Sequence, residues 1–368
     1  MTRHSSKLNG QSSETFSNRD PRNLTLHVPS NPVTEADIAS LVLAEFELEG
    51  KVERLVGEKD DNFCLSTGVG DRYLIKVAHA NEDLQVTNLQ TSVLEYLRSH
   101  APQLAVQRVV HSIDGSADVV VNGGPLNGRA VRVTTYLDGS SMRSVTSTAS
   151  LRHEIGVTAA QLCRALRDFD HPAAHRPLLW DLQHAANLRP MIEELPSRDH
   201  REVLMKELDL FEREVAPRLA SLRRQVVHND LSTDNLLVSD DGRRLTGILD
   251  FGDLIYAPLV NDVVVAATYQ LSDELDPTPP AIEMIAGFHS ITPLTSTELE
   301  LLPLLVMARM IVWITIPEWR AARMPENRDY VLRNNSRAWA LLRRLLALPP
   351  ESFHARLRDA CPIEFDDA

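Results

Sequence analysis

The sequence predicts an α+β fold with two lobes, a small strand-rich N-terminal lobe and a larger helical C-terminal lobe. Strand-like apolar runs dominate the first third of the 368-residue chain, and helical periodicity dominates the rest. A polar segment, His228 to Asn235, follows one of the few strand-like runs in the helical part. With 43% hydrophobic and 24% charged residues, the composition is that of a folded protein with a sizeable core.

The N-terminal lobe is predicted to span residues 33–137. The preceding residues, 1–32, are rich in Ser, Asn, Arg and Thr without apolar periodicity, which predicts a flexible arm. Thr34, with Asp37 three residues later, predicts a capped helix at the start of the lobe. The other predicted elements are a helix over 81–99 and strands over 51–56, 62–67, 73–77, 106–112, 119–121 and 129–136.

The C-terminal lobe is predicted to span residues 138–368. Apolar residues recur there with the helical period, over 151–169, 202–222, 260–271, 281–288, 298–316 and 330–348. The most apolar stretch, 299–316, is interrupted by Glu300, Pro303 and Arg309. We therefore expect a buried helix and not a membrane span.

The net charge and the cysteines restrict the partners of the protein. A formal charge of −13 and a pI near 5.5 disfavour nucleic acids and anionic membranes, which would repel the chain. Cys64, Cys163 and Cys361 have no paired spacing, so neither a disulfide framework nor a thiolate zinc site is expected. With no apolar signal-like run near Met1, we expect a reducing cytoplasmic location. The sequence does not specify an oligomeric state.

The segment from His228 to Asn235 and the Asp-Phe-Gly sequence at 250–252 carry the functional prediction. Phosphoryl transfer requires a carboxylate beside the attacking hydroxyl, together with oxygen ligands that hold Mg²⁺ against nucleotide phosphates. Asp230 is the predicted base, and Asn235 and Asp250 are the predicted metal ligands. Strand-like runs at 236–238 and 245–249 flank a turn at 240–242, so a hairpin would bring the two ligands together.

A nucleotide site is predicted in the strand-rich lobe. Lys76 lies in the apolar middle of the run 72–77 and would bind the α- and β-phosphates of ATP or GTP. The loop over 57–63, including Asn62 and Phe63, would cap the phosphates through backbone N–H groups, although its acidic residues oppose phosphate binding. The predicted hinge, whose backbone would face the purine ring, is Thr135, Tyr136 and Leu137.

The partner of Lys76 is left open by the sequence. Kinases commonly hold this lysine with a glutamate from the following helix. Glu82 lies at the start of the predicted helix and Glu95 near its end, while Asn88 occupies the position expected to face the lysine. The amide of Asn88 can form a hydrogen bond but not an ion pair.

The acceptor is predicted to be a small molecule. Ser232 stands where protein kinases have a lysine, and only a few residues separate Asp253 from the helix start at Asn261. That segment is too short to form a platform for a peptide substrate.

His228-Asn229-Asp230-Leu231 followed by Asn235, and then Ile248 to Asp253, resembles the aminoglycoside phosphotransferase (choline kinase-like) family. The resemblance spans roughly residues 35–348. It implies a protein-kinase-like fold, Asp230 as base, Asn235 and Asp250 on Mg²⁺, and Lys76 on phosphates. Softer similarities, at 58–63, 94–97, 179–182 and 250–256, are closest to hydroxylysine kinase and to the kinase-like domains fused to class III aminotransferases.

Arg309 bears on the nature of the acceptor. A guanidinium in so apolar a helix requires a carboxylate, which is either an internal Asp or Glu or a substrate group. In the second case the acceptor is a hydroxy-amino acid, and Asp253 would meet its ammonium group. The first hypothesis is therefore phosphorylation of an amino alcohol or hydroxy-amino acid. The alternatives are an aminoglycoside, choline or homoserine kinase, or a catalytically silent nucleotide-binding regulator.

Overall fold

The N-terminal lobe is built around one antiparallel sheet. The computed structural model describes residues 33–57 and 60–363, so the arm predicted over 1–32 lies outside the described residues. The strands are β1 (Lys51–Leu55), β2 (Asp61–Ser66), β3 (Arg72–Val77), β4 (Val109–Val110), β5 (Val119–Val120) and β6 (Ala130–Thr135). They pair in the order β1-β2-β3-β6-β4, and β5 also pairs with β6.

The pairing register sorts side chains onto two faces of this sheet. Directly opposed residues of an antiparallel pair share a face, and successive residues of a strand alternate. The core of the lobe, which also contains helix α1 (Glu35–Phe46), receives the apolar row Phe63, Ile75 and Val133. A polar row lies on the other face of the sheet. It is formed by the adjacent residue of each strand: Asn62, Lys76 and Arg132. The register thus places Lys76 outside the apolar core.

Helix α2 (Leu84–His100) connects the two lobes. Asp83 caps its first turn by accepting a hydrogen bond from the amide of Gln85 at 2.9 Å. The apolar face of the helix joins the large core of the C-terminal lobe and not the core of the sheet; its residues are Val86, Leu89, Val93, Leu94 and Leu97. Burial of this face fixes the helix against the larger lobe.

The C-terminal lobe is mainly helical, as predicted. Its helices are α3 (Ala149–Ala165), α4 (Arg189–Glu193), α5 (Arg198–Glu214), α6 (Val260–Gln270), α7 (Thr278–Ile291), α8 (Ser296–Arg323), α9 (Arg328–Val331), α10 (Asn335–Ala347) and α11 (Ser352–Ala360). Its short strands are β7 (Ser140–Ser141), β8 (Arg224–Val227), β9 (Leu236–Val238), β10 (Leu245–Ile248) and β11 (Ile255–Pro258). The predicted hairpin is β9–β10, and β8 pairs with β11, a strand that the sequence pattern did not indicate.

Helices α3 and α7 cross at close range because each presents a glycine. A Cβ on Gly156 would lie 1.9 Å from the carbonyl oxygen of Met284, and one on Gly287 would lie 2.1 Å from that of His153. Neither position has room for a methyl group. The crossing fixes α7 against α3, within the core that also includes α6.

Helix α8 is long and apolar enough to cross a membrane, but 83% of its most apolar window is buried in the fold. The prediction of a buried helix is therefore confirmed. The prediction of one helix over 330–348 is wrong: a short break after Val331 separates α9 from α10, and α11 follows the two prolines that end α10.

Candidate active site

The loop that carries Asp230 is anchored through its backbone. Asn229 has a left-handed conformation, with φ of 63°. The carboxylate of Asp262, at the start of α6, accepts the amides of His228 at 3.0 Å and Asn229 at 2.6 Å. Burial raises the pKa of Asp262 to about 6, against the effect of these two hydrogen bonds. Since a left-handed asparagine is unfavourable on its own, these contacts stabilise the turn before Asp230.

Asp230 and Asn235 are in direct contact. The Nδ2 of Asn235 donates to Oδ2 of Asp230 at 2.6 Å and to its carbonyl oxygen at 3.0 Å. Removal from water deep in the cleft, together with the charges of Asp253 and Asp250, raises the pKa of Asp230 to about 7, and Arg309 opposes this shift. A carboxyl group with a pKa close to neutrality suits proton transfer.

Asp250 lies opposite Asp230 at the end of the β9–β10 hairpin. Its φ of 57° is left-handed, and its Oδ1 accepts the amide of Gly252 at 3.0 Å. The Nζ of Lys76 lies 3.5 Å from the same oxygen. Lys76 is the main cause of the lowered pKa of Asp250, so the carboxylate stays ionised where a cation would bind.

The chemistry of these donors fits a divalent cation. Asn235 commits its amide nitrogen to Asp230, which leaves its amide oxygen for a metal, and Asp250 offers a carboxylate. Among residues 33–57 and 60–363, no cluster of three or more His, Cys, Asp or Glu side chains could hold a metal by itself. Mg²⁺ characteristically takes only one or two protein oxygens and completes its shell with phosphate and water.

Arg176 fixes the loop after Asp250, a contact that the sequence did not reveal. Its guanidinium donates to the carbonyl oxygens of Gly252 at 2.7 Å and Leu254 at 2.6 Å. A third bond reaches the carbonyl oxygen of Ala173 at 2.9 Å. The loop that follows Asp250 is therefore tied to the 3₁₀ helix over 172–175.

The polar row of the sheet faces this loop. Lys76 lies directly opposite Arg132 on β6, and Arg132 donates a hydrogen bond to Oε1 of Gln90 on α2. The carboxylate of Asp60 lies 3.7 Å from the same guanidinium. The predicted phosphate site therefore contains a second buried cation that was not singled out in the sequence.

The expectation that Asn88 faces Lys76 is wrong. Oδ1 of Asn88 lies 3.1 Å from Nε2 of His171 in the other lobe, because α2 turns this position toward the 3₁₀ helix over 172–175. Glu95 pairs with Arg98 at 2.9 Å and with His111 at 3.8 Å, away from the lysine. Glu82 lies near Arg176: burial lowers the pKa of Arg176, and the charge of Glu82 is among those that oppose this shift. The α2 residue that reaches the site is Gln90.

The residues proposed for the phosphate loop divide between the two faces of the sheet. Asn62 lies beside Lys76, whereas the side chain of Phe63 is fully buried in the core of the small lobe. Only the backbone of Phe63 could therefore approach a nucleotide. Residues 58–59 of this loop lie outside the described residues. Of its described acids, Asp61 pairs with Arg54 and Arg129, each at 2.7 Å.

The hinge offers fewer backbone donors than expected. The amides of Thr135 and Tyr136 donate to the carbonyl oxygens of Arg108 at 2.8 Å and Arg72 at 3.0 Å. Within the described part of the chain, the amide of Leu137 has no backbone acceptor. The Leu137 side chain packs on the hairpin, where a Cβ on Gly247 would lie 3.0 Å from its Cδ1.

Arg309 lies near Asp230. Its side chain is buried, and its charge opposes the rise that burial causes in the pKa of Asp230. Its contacts are the Trp180 carbonyl oxygen at 3.4 Å, the Trp180 ring with its centroid at 5.7 Å, and the Tyr269 hydroxyl. In the described part of the chain its Nε has no hydrogen-bond partner, and no carboxylate forms an ion pair with it. The internal pair considered from the sequence is absent there.

The two-lobed fold, with the Asp230 loop and the Asp250 loop facing the polar row of the sheet, defines a class: kinases of small molecules with a protein-kinase-like architecture. A model of the phosphotransferase enzyme family, the aminoglycoside phosphotransferase family, matches residues 52–293. The chain belongs to this family. It is a kinase that transfers a phosphoryl group from a nucleotide donor to the hydroxyl group of a small molecule, with a divalent metal.

Curated relatives extend over most of the chain. Hydroxylysine kinase of Mus musculus is 28% identical over 334 residues, which cover 85% of this chain and 89% of the relative. Homoserine kinase of Chelativorans sp. (strain BNC1) is 28% identical over 294 residues, covering 75% of this chain and 84% of the relative.

Solved structures share the fold. A microcompartment-associated aminopropanol kinase has a TM-score of 0.67 at 18% identity, covering 88% of this chain and 98% of its own. The amicoumacin kinase hAmiN, solved with AMP-PNP, Ca²⁺ and Ami, has a TM-score of 0.61 at 17% identity, covering 81% and 93%.

Proposed function

We propose that this protein phosphorylates the hydroxyl group of a hydroxy-amino acid of the hydroxylysine type, using ATP or GTP with Mg²⁺. The observation that carries the proposal is Arg309, a buried guanidinium beside Asp230 without an internal carboxylate partner in the described residues. Such a group is unfavourable unless an anion meets it. The carboxylate of an amino-acid acceptor supplies that anion.

The proposed chemistry assigns a role to each side chain of the site. Asp230 accepts the proton of the acceptor hydroxyl as the oxygen attacks the γ-phosphorus, and the bond from that phosphorus to the β,γ-bridging oxygen breaks to release the nucleoside diphosphate. Lys76 binds donor phosphates, and Asn235 and Asp250 hold Mg²⁺. The bound metal neutralises charge that develops on the phosphoryl oxygens. Asn235 also holds the carboxyl of Asp230 at 2.6 Å, which orients the base toward the incoming hydroxyl.

The acceptor is recognised by its charges. Arg309 binds the carboxylate, and Trp180, whose ring lies under the guanidinium, limits the directions that the guanidinium can adopt. Asp253, close enough to raise the pKa of Asp230, attracts the ammonium group. At the donor side, the amide of Leu137 and the hinge carbonyl groups contact the purine ring, a pattern compatible with both ATP and GTP.

The relatives support the same chemical class of acceptor. Hydroxylysine and homoserine, named in the two curated relatives, are both hydroxy-amino acids. Homoserine is therefore the second candidate acceptor. An amino alcohol such as aminopropanol or choline lacks the carboxylate that Arg309 requires, and aminoglycosides lack it as well.

The proposal includes a reducing, cytoplasmic location. The three cysteines are free and buried, which is the state expected where thiols remain reduced.

A nucleotide-consumption screen with matched acceptors tests the proposal. Homoserine is compared with 3-aminopropan-1-ol, and 5-hydroxylysine with 1,5-diaminopentan-2-ol, so that each pair differs only by the carboxylate. We expect kcat/KM to be about 30- to 100-fold higher for the amino acids, the effect of one charge-assisted ion pair. Choline and aminoglycosides are included, each acceptor is assayed with ATP and GTP, and Asp230→Asn is the inactive control. Equal rates within each pair would reject the carboxylate assignment.

A further inference from the structure

Arg132 is an unusual residue for the strand that leads to the hinge. It is 3% exposed and lies directly opposite Lys76 in the register of β3 and β6. The neighbouring positions of its strand, Val131 and Val133, point into the apolar core of the small lobe. Arg132 therefore points to the same side as Lys76, yet it is covered by protein on that side.

The guanidinium of Arg132 joins three separate elements. It belongs to β6, it donates to Oε1 of Gln90 on α2, and it lies 3.7 Å from Oδ2 of Asp60 in the loop before β2. Oδ1 of Asp60 in turn accepts the amide of His79 at 3.2 Å. One cation thus links the sheet, the helix between the lobes and the loop that faces the phosphate site.

Gln90 extends this linkage to the loop that follows Asp250. A Cβ added to Gly252 would lie 4.0 Å from Nε2 of Gln90, so the Gln90 amide that accepts from Arg132 also lies close to the loop that begins at Asp250. Arg132 is therefore linked to the neighbourhood of the Asp250 loop through Gln90.

The neutral side chain of Gln90 explains why a second cation is tolerated here. A carboxylate at this place would bind Lys76 and Arg132 together and draw Lys76 away from Asp250. An amide accepts one hydrogen bond from Arg132 and leaves Lys76 with Asp250, at 3.5 Å. When a metal binds Asp250, Lys76 can turn to the donor phosphates, while Arg132 keeps its contacts with Gln90 and Asp60.

We propose that Arg132 is a positioning residue for the metal–nucleotide complex: through Gln90 and Asp60 it holds the Asp250 loop and the start of β2 in register with Lys76. Gln90 takes the place that a carboxylate of the helix would otherwise occupy, and Arg132 acts through it without touching the nucleotide. The inference rests on the proposed use of Asp250 and Lys76 for Mg²⁺ and phosphates. It does not depend on the identity of the acceptor.

Binding of nucleotide without acceptor tests this role. Titration calorimetry measures ADP and a non-hydrolysable triphosphate, of adenine and of guanine, over a series of Mg²⁺ concentrations. For Arg132→Gln we expect binding in saturating Mg²⁺ to weaken about 10- to 100-fold and the half-saturating Mg²⁺ concentration to rise, the loss typical of a residue that supports metal ligands. Arg132→Lys retains the charge and should lose less than Arg132→Gln.

Arg152 provides the control. Its side chain is 15% exposed, and it pairs with Glu283 at 2.6 Å, which links α3 to α7 in the helical lobe. Arg152→Gln removes a mostly buried guanidinium outside the nucleotide site, so it should lower the thermal midpoint and leave nucleotide affinity within about twofold of the wild type. Unchanged nucleotide and Mg²⁺ affinity in Arg132→Gln, or equal losses in both variants, would overturn this inference without affecting the proposed function. Failure of the wild-type protein to bind any Mg²⁺–nucleotide would overturn the proposed function with it.

Discussion

The donor and acceptor sides of the cleft each contain a buried arginine, but the two guanidinium groups differ in their contacts. Arg132 and Arg309 are each 3% exposed. On the donor side, Arg132 has Gln90 and Asp60, and Lys76 has Asp250. On the acceptor side, Arg309 has a carbonyl oxygen at 3.4 Å, an aromatic ring and a tyrosine hydroxyl. No carboxylate of the described chain is paired with it.

This difference indicates what each side still requires from a ligand. The donor side is already neutralised by internal pairs, which a metal and phosphates rearrange. The acceptor side contains a buried cation that has no contact ion pair with a carboxylate among the described residues. It is therefore prepared to bind an anion, and Asp230 stands beside it with a pKa of about 7.

The largest expected effects concern Asp230 and Asp250, whose substitution should change different properties of the enzyme. Asp230→Asn should lower kcat by about 10³-fold or more, because the general base is lost, while nucleotide binding changes little. Asp250→Asn should instead abolish Mg²⁺-dependent nucleotide binding. Steady-state kinetics combined with calorimetry measures both properties. Similar losses of nucleotide affinity in the two variants would contradict the division into two sides.

The next effect concerns Arg309. Arg309→Met should lower kcat/KM for a hydroxy-amino acid about 100-fold, mainly through KM of the acceptor, since a desolvated ion pair is lost. The KM of the nucleotide should stay within about twofold. Rates with the decarboxylated acceptor of the same length should barely change.

Arg323→Met is the control for this substitution. Arg323 lies on the same helix, but it pairs with Glu194 on the surface and packs on Trp319. Its loss should leave the kinetics for both substrates unchanged. An increase of both KM values in Arg309→Met would identify Arg309 as a structural residue and not as an acceptor ligand.

The smallest expected effect is a change in the free energy of unfolding that has opposite signs in two variants. Without ligand, Arg309→Met should raise the free energy of unfolding by about 1 kcal/mol, because an uncompensated buried charge is replaced by a packed apolar chain. Arg132→Met should lower it by about 2 kcal/mol, because it leaves Asp60 and Gln90 without their partner. Urea denaturation of both variants measures these changes. A loss of stability in both variants would show that the two sides do not differ in this way.

Much of the fold and site could be read from local patterns. The hairpin, the capped first helix and the buried character of α8 follow from periodicity and turn residues that lie close together in the chain. Asp230, Asn235 and Asp250 fall within one short stretch, so their convergence needs only a loop and a hairpin. The exact ends of the helices after residue 328 were not predicted, since a break of a few residues leaves the apolar period nearly intact.

The position of Asn88 could not be predicted from local sequence patterns. Counting along the sequence placed it against Lys76, but the rotation of α2 is set by the burial of its apolar face in the large lobe. That burial turns Asn88 toward His171 and brings Gln90 to the site. The helix sequence defines its apolar face but not which of the two lobes buries that face.

The sequence by itself indicated the class of chemistry, because the proposed base, the proposed metal ligands and the turn between them are neighbours along the chain. The tertiary structure decided how the charges are compensated. Gln90 and Arg132 are 42 residues apart, and Arg309 and Trp180 are 129 apart. Whether a buried cation has an internal partner depends on which distant elements pack around it, and that is a property of the folded core.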